Sequence, residues 1–220
     1  MLDIVQRGAP SGCQGQDLLF LSFSFLFAQD DKPFFNLNVD AQIDITATSE
    51  GNYKVINIEV SNFGSETANV IFPEGGVFVN LDTTEQNLVV LFYDKIIVEA
   101  GKSKEIVIGT ACANPKRKVP SKRRTTWVYD YDAKVGDLIR YYHNNRSLIA
   151  MLTGKEHHDT FEKRHNFLQM CVWVYYDADK KQILDFATKY IFDGDKDKAQ
   201  LFIDVFYPLA VSFINIYKGL

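Results

Sequence analysis

No uninterrupted apolar stretch of about 20 residues, the length an ordinary membrane-crossing helix needs, runs through this sequence. The nearest segment late in the chain, Leu201–Tyr217, is broken by Asp204, Pro208 and Asn215. Cysteine is scarce, with three residues in 220, Cys13, Cys112 and Cys171. That is too few for a disulfide scaffold, so the chain must stand on its core. There are only four histidines, and no H-E-x-x-H or C-x-x-C spacing, so no zinc site is legible. Walker, G-x-G-x-x-G and G-x-S-x-G motifs are also missing, and neither a metal nor a cofactor is expected. Positive charge is not in excess: the formal net charge of −4 argues against a nucleic-acid footprint over the whole surface.

Aromatic residues, by contrast, are plentiful at 14%, within an apolar fraction of 46%. This supports a true core and excludes wholesale disorder. One domain or two small ones fit this length.

The most informative local feature is Leu18–Ala28, an apolar run followed at once by Gln29-Asp-Asp-Lys-Pro33. It is short for a membrane span but matches the apolar region of a secretory signal, about 7–15 residues long. Residues 1–28 are therefore expected to be a leader, with the mature protein secreted, periplasmic or on the cell surface. In such a compartment a disulfide between Cys112 and Cys171 is open, as are two free buried thiols.

Residues 29–113 read as a β module. Val39, Ala41, Ile43, Ile45 and Ala47 alternate with polar residues, and Ile56, Ile58 and Val60 do so again. Further strands are expected at Ala68–Phe72, Val77–Asn80, Leu88–Tyr93, Lys95–Glu99 and Lys104–Thr110, with glycine-rich turns between several of them. Residues 114–133 are expected to be a basic surface loop. Two prolines and six basic residues (Lys116, Arg117, Lys118, Lys122, Arg123, Arg124) fall in Asn114–Arg124, and they are candidates for binding phosphates, acidic glycans or lipid headgroups.

Residues 134–220 turn helical. Val135, Leu138, Ile139 and Tyr142 share a face, and so do Phe161, Leu168, Val172 and Tyr175, with Asp159 or Thr160 as N-cap. Ile183, Ala187, Tyr190 and Ile191 form a third stripe. A fourth runs from Ala199 through Phe202, Ile203, Phe206, Ala210, Phe213 and Ile214 to Tyr217, where Pro208 is expected to kink or split the helix. Strands first and helices after predict an α+β protein: an immunoglobulin-like antiparallel β-sandwich followed by a helical region packed against it. His157 and His165, eight apart, could share one side of a helix. The aspartate-rich segments Asp177–Asp179 and Asp193–Asp197 read as turns or helix caps.

Gly76-Val-Phe-Val-Asn80, Gln86-Asn-Leu-Val-Val90, Ile96-Ile-Val98 with Ala100-Gly101, and Cys112-Ala-Asn-Pro-Lys116 occur in order, followed by Leu168-Gln-Met-Cys-Val-Trp173. Over roughly residues 70–177 the chain resembles a little-studied class of bacterial exported β-sandwich modules, in which a helix bearing Q-x-x-x-W follows a C-x-N strand end. More distantly it is similar to thioester domains of bacterial surface adhesins. There a cysteine is joined to the glutamine of a T-Q-x-A-x-W-type helix motif, making an electrophile that captures amines. The resemblance implies roles for Cys112, Gln169 and Trp173. Leu168 and Cys171 depart from the motif, and the interval between Cys112 and Gln169 is short.

The expected function is an exported, non-enzymatic binding or surface-assembly module with a protein or glycan partner. The alternatives are a covalent adhesin with a Cys112–Gln169 thioester, and a hydrolase that gathers acidic residues around histidines such as His143, His157 and His165.

Overall fold

The computed structural model describes residues 43–49, 54–121 and 127–219. The expected leader, residues 1–28, and Lys122, Arg123 and Arg124 of the basic cluster lie outside the described residues.

Among the described residues eight strands come first: β1 (Ile43–Ser49), β2 (Val55–Asn62), β3 (Ala68–Phe72), β4 (Gly76–Asn80), β5 (Leu88–Val90), β6 (Asp94–Val98), β7 (Ser103–Cys112) and β8 (Trp127–Tyr131). Burial alternates along β2 and β3, as the period-2 pattern requires. Six strands form a curled antiparallel sheet in the order β1-β2-β7-β5-β4-β8, and β3 pairs with β6 in a separate ribbon. The ribbon buries Ala68, Val70, Phe72, Ile96 and Val98.

Strand β8 corrects the expectation of a loop throughout 114–133. Trp127–Tyr131 pairs with β4 from Asn80↔Trp127 to Gly76↔Tyr131. The aromatic edges explain the pairing, since Trp127 and Tyr129 both pack edge-on against Phe78, at 6.5 and 5.0 Å between ring centres. The basic run upstream masks this short strand.

Strand β7 changes partner along its length. Ser103–Gly109 pairs with β2, and Thr110–Cys112 pairs with β5. Gly109 stands at the change. A Cβ there would lie 2.9 Å from the Phe92 ring, so glycine lets that ring pack against the strand.

Among the described residues five α-helices follow: α1 (Ala133–Asn144), α2 (Arg146–Thr153), α3 (Phe161–Tyr175), α4 (Lys180–Phe186) and α5 (Lys196–Lys218). Their starts are chemically specified. Asp132, Thr160, Asp179 and Asp195 each accept a bond from a main-chain N–H in the first turn of α1, α3, α4 and α5. The aspartate-rich segments are thus caps, and Asp177 and Asp193 adopt positive φ in the turns before them. Pro208 does not split α5, which runs unbroken for 23 residues. Among the described residues α5 is the one helix long and apolar enough to cross a membrane, but its Ala199, Phe202, Ile203, Phe206, Ala210, Phe213 and Ile214 are core residues.

One continuous core joins the sheet to the helices, from Ile56 and Phe78 through Tyr142 and Phe167 to Phe213. Helix α3 is central: Phe167–Trp173 are all buried, seven in succession, because β7 lies on one side and α5 on the other. The turn before β4 reaches α1 through two glycines. Gly75 has φ +84°, and a Cβ on it would fall 2.4 Å from the Gly136 Cα. Asp132 N–H donates to the Gly75 carbonyl at 2.9 Å, closing this corner.

Candidate functional site

Residues Cys112 and Gln169, 57 apart in sequence, meet in the core. Their meeting follows from the change of partner in β7. Leu91 N–H bonds the Gly109 carbonyl, and Ala113 N–H bonds the Asn87 carbonyl, each at 3.0 Å. The odd residues therefore face β5, and Thr110 and Cys112 turn their peptide groups to the opposite edge. On that edge Thr110 N–H reaches the Lys54 carbonyl at 2.8 Å. One pair further along, a side chain takes the place of a strand. Cys112 N–H donates to Gln169 Oε1 at 2.8 Å, and Gln169 Nε2 donates to the Cys112 carbonyl at 2.9 Å.

One turn back on α3, His165 Nε2 lies 2.6 Å from the Thr110 carbonyl. The spacing fits. Four residues of helix rise about 6 Å, and two residues of strand rise about 6.7 Å. His165 and Gln169 thus engage successive outward peptide groups of β7. Both are buried, at 1% exposure each, where an unmade hydrogen bond would be costly.

Burial also sets the ionisation here. It pushes the Cys112 and Cys171 thiols well above their usual value, and both are free and buried. It pushes His165 down to about 4, with Lys54 acting in the same direction and the Thr110 carbonyl opposing. Trp173, one turn beyond Gln169, is fully buried against Phe186.

A second glutamine fixes the segment after Cys112. Gln86 Oε1 accepts from Asn114 N–H, and Gln86 Nε2 donates to the Arg117 carbonyl, both at 3.1 Å. Its own N–H donates to the Lys118 carbonyl at 3.0 Å. Of the basic candidates, Lys116 and Lys118 are exposed and Arg117 is half-buried. The sequence names Gln86 within the Gln86-Asn-Leu-Val-Val90 run and His165 beside His157, but not the main-chain bonds that either makes. The available signals were a glutamine beside the strand β5 and a histidine four residues before Gln169.

The four histidines go to different places. His143 Nε2 is 2.9 Å from the Leu91 carbonyl, its ring beside Phe92. His157 sits in a single 3₁₀ turn, Lys155–His157, beside Glu156 and over the Phe206 ring, so it shares no helix with His165. His158 lies between Tyr142 and Thr153. Its Nδ1 is 2.9 Å from the Tyr142 hydroxyl, and its Nε2 is 2.7 Å from Thr153 Oγ1. Thr153 gives its only proton to the Ile149 carbonyl at 2.7 Å, so His158 Nε2–H donates to Thr153 and Nδ1 accepts from Tyr142. Burial, with the positive neighbours His157, Arg164 and Arg146, holds His158 down to about 4. This relay is satisfied from end to end. Among the described residues no three His, Cys, Asp or Glu side chains gather as metal ligands.

No protein-family model matches the chain, and neither a curated protein nor a solved structure matches it significantly.

Proposed function

We propose that this chain is an exported, non-enzymatic binding module of the cell surface, able to attach covalently through a thioester between Cys112 and Gln169. The observation that carries the covalent form is the contact itself. The Gln169 carboxamide is hydrogen-bonded to the main-chain N–H and C=O of Cys112, 57 residues away, in a buried site, and the covalent reading adds that the thiol of the same residue reaches the carboxamide carbon. The burial of Trp173 one turn away adds to the shielding a thioester needs. The β3–β6 ribbon beside the curled sheet is compatible with a small immunoglobulin-like sandwich as the scaffold.

The chemistry balances without a co-reactant. Cys112 Sγ attacks Gln169 Cδ, the C–N bond breaks, and the carboxamide nitrogen leaves as ammonia with the thiol proton. A target amine later attacks the same carbon. An amide forms, the C–S bond breaks, and the thiol regains a proton. The raised thiol pKa disfavours the attacking thiolate, so proximity must supply the rate of the first step.

The reversible form of the module is the second reading. Exposed Lys116 and Lys118 support it, on a segment that Gln86 holds in place for an acidic protein or glycan. Intact mass of the native protein separates the two: a thioester lowers the mass by one ammonia and removes one titratable thiol.

A further inference from the structure

Helix α2 has almost no polar face. In Arg146-Ser-Leu-Ile-Ala-Met-Leu-Thr153 only the two ends are polar. A helix apolar all round belongs in a core or against lipid, yet here only Ile149 is fully buried. Leu148, Met151 and Leu152 are exposed at 45%, 67% and 57%. Beside them Ile216 of α5 is also exposed, and a shallow apolar groove runs between Tyr141, Leu148, Leu152, Phe213 and Ile216.

The charge around this patch runs against that of the chain. The whole sequence carries −4. Arg146 and Lys155, at the two ends of α2, are exposed, and Arg164, whose guanidinium reaches the His158 carbonyl at 3.2 Å, lies close by. Against these three cations stands Glu156, whose carboxylate is beside His157. The other acids nearby are already paired: Asp159 with Lys163, and Glu162 with Lys54. An apolar ridge flanked by unopposed long cationic side chains matches a surface that is anionic outside and apolar beneath.

We propose that the outer face of α2, with Ile216, docks on an anionic lipid surface, inserting Leu148, Met151 and Leu152 among the acyl chains while Arg146 and Lys155 meet the headgroup phosphates. This goes beyond the covalent reading and does not depend on Cys112 or Gln169. Docking would hold the module flat against a membrane and fix the direction in which the rest of it faces.

The test is co-sedimentation of the full chain with vesicles of phosphatidylcholine alone and of phosphatidylcholine with phosphatidylglycerol. Any contribution from residues 18–28 is then common to every variant. The expected result is binding to the anionic vesicles that falls at least tenfold in Met151→Asp/Leu152→Asp, and several-fold in Arg146→Gln/Lys155→Gln. Leu201→Asp, equally exposed elsewhere on α5, should bind as the parent does. Unchanged melting temperatures show that the variants fold. Equal vesicle binding by parent and patch variants would overturn the proposal. So would a loss in Leu201→Asp as large as in the patch variants. Absence of vesicle binding together with self-association that the patch variants abolish would also overturn it, and would assign the face to a second copy of the chain.

Discussion

Gln169 pairs with Cys112 as a neighbouring strand would, one carboxamide against the N–H and C=O of one residue, at 2.8 and 2.9 Å. A helix side chain thus completes a β-edge, and the two halves of the molecule are joined by directed bonds as well as by apolar contact. Removing the carboxamide leaves a buried N–H and a buried C=O unmet, each at about 1–3 kcal/mol. Measured against protein whose Gln169 carboxamide is intact, Gln169→Ala is expected to lose roughly 2–5 kcal/mol in urea denaturation. Gln86→Ala, whose partners Asn114 and Arg117 lie on the less buried segment after Cys112, should lose less. Equal small losses would show that the clamp contributes nothing special.

Acid should weaken the fold through its buried histidines. His158 and His165 are both held down to about 4 by burial, against about 6.5 in an unfolded chain. Between those values the unfolded state binds more protons, so stability is full above about pH 6.5 and lost as pH falls toward 4, levelling off below. The loss should be on the order of 2–3 kcal/mol for each histidine. Denaturation midpoints from pH 7.5 to 4 check this, and His158→Gln should flatten the profile.

Two of the glycines with positive φ, Gly75 and Gly101, offer an internal control. Both have positive φ, at +84° and +67°, but a Cβ on Gly101 meets nothing within 4 Å, whereas one on Gly75 would strike the Gly136 backbone. Gly101→Ala should cost about 1–2 kcal/mol, the backbone term alone. Gly75→Ala should cost several kcal/mol more, or prevent folding. Thermal melts of the two variants side by side decide it.

Phe213 of α5 packs against Tyr141, Tyr142 and Phe167 at 5.7–6.2 Å between ring centres. Phe213→Ala and Phe206→Ala are each expected to cost about 3–5 kcal/mol, with Phe206, at 8% exposure, nearer the lower end. Deleting the chain from Gly194 onward should abolish cooperative melting, since the sheet and helices share one core.

Much of this fold is legible from pattern, and the exceptions have physical causes. The alternation of Ile56, Ile58 and Val60 and the three-and-four spacing from Ala199 to Tyr217 mark β2 and α5 plainly. Helix α3 is less visible because it is buried on every side, so Phe167–Trp173 shows no clean stripe. Strand β8 is hidden behind basic residues whose composition reads as loop. Helix α2 is too short and too uniformly apolar to show a period. In the site, the pairing of Cys112 with Gln169 is suggested by residue type and motif, but its form is not. Only the change of partner in β7 reveals that the carboxamide meets the peptide group of Cys112. The roles of His165 and Gln86 escape notice because a histidine or glutamine bonded to main chain leaves no sequence signature.

The central proposal is that the Cys112 thiol forms a thioester with the Gln169 carboxamide that its main chain holds. The direct measurement is the intact mass of the protein from its native host, with thiols counted under denaturing conditions. The account predicts a mass one ammonia below that of the mature sequence, with Cys171 as the only thiol of the Cys112–Cys171 pair that titrates. Cys112→Ala and Gln169→Ala should each restore the full expected mass. A parent protein with no ammonia missing, and with both Cys112 and Cys171 titrating, would contradict it.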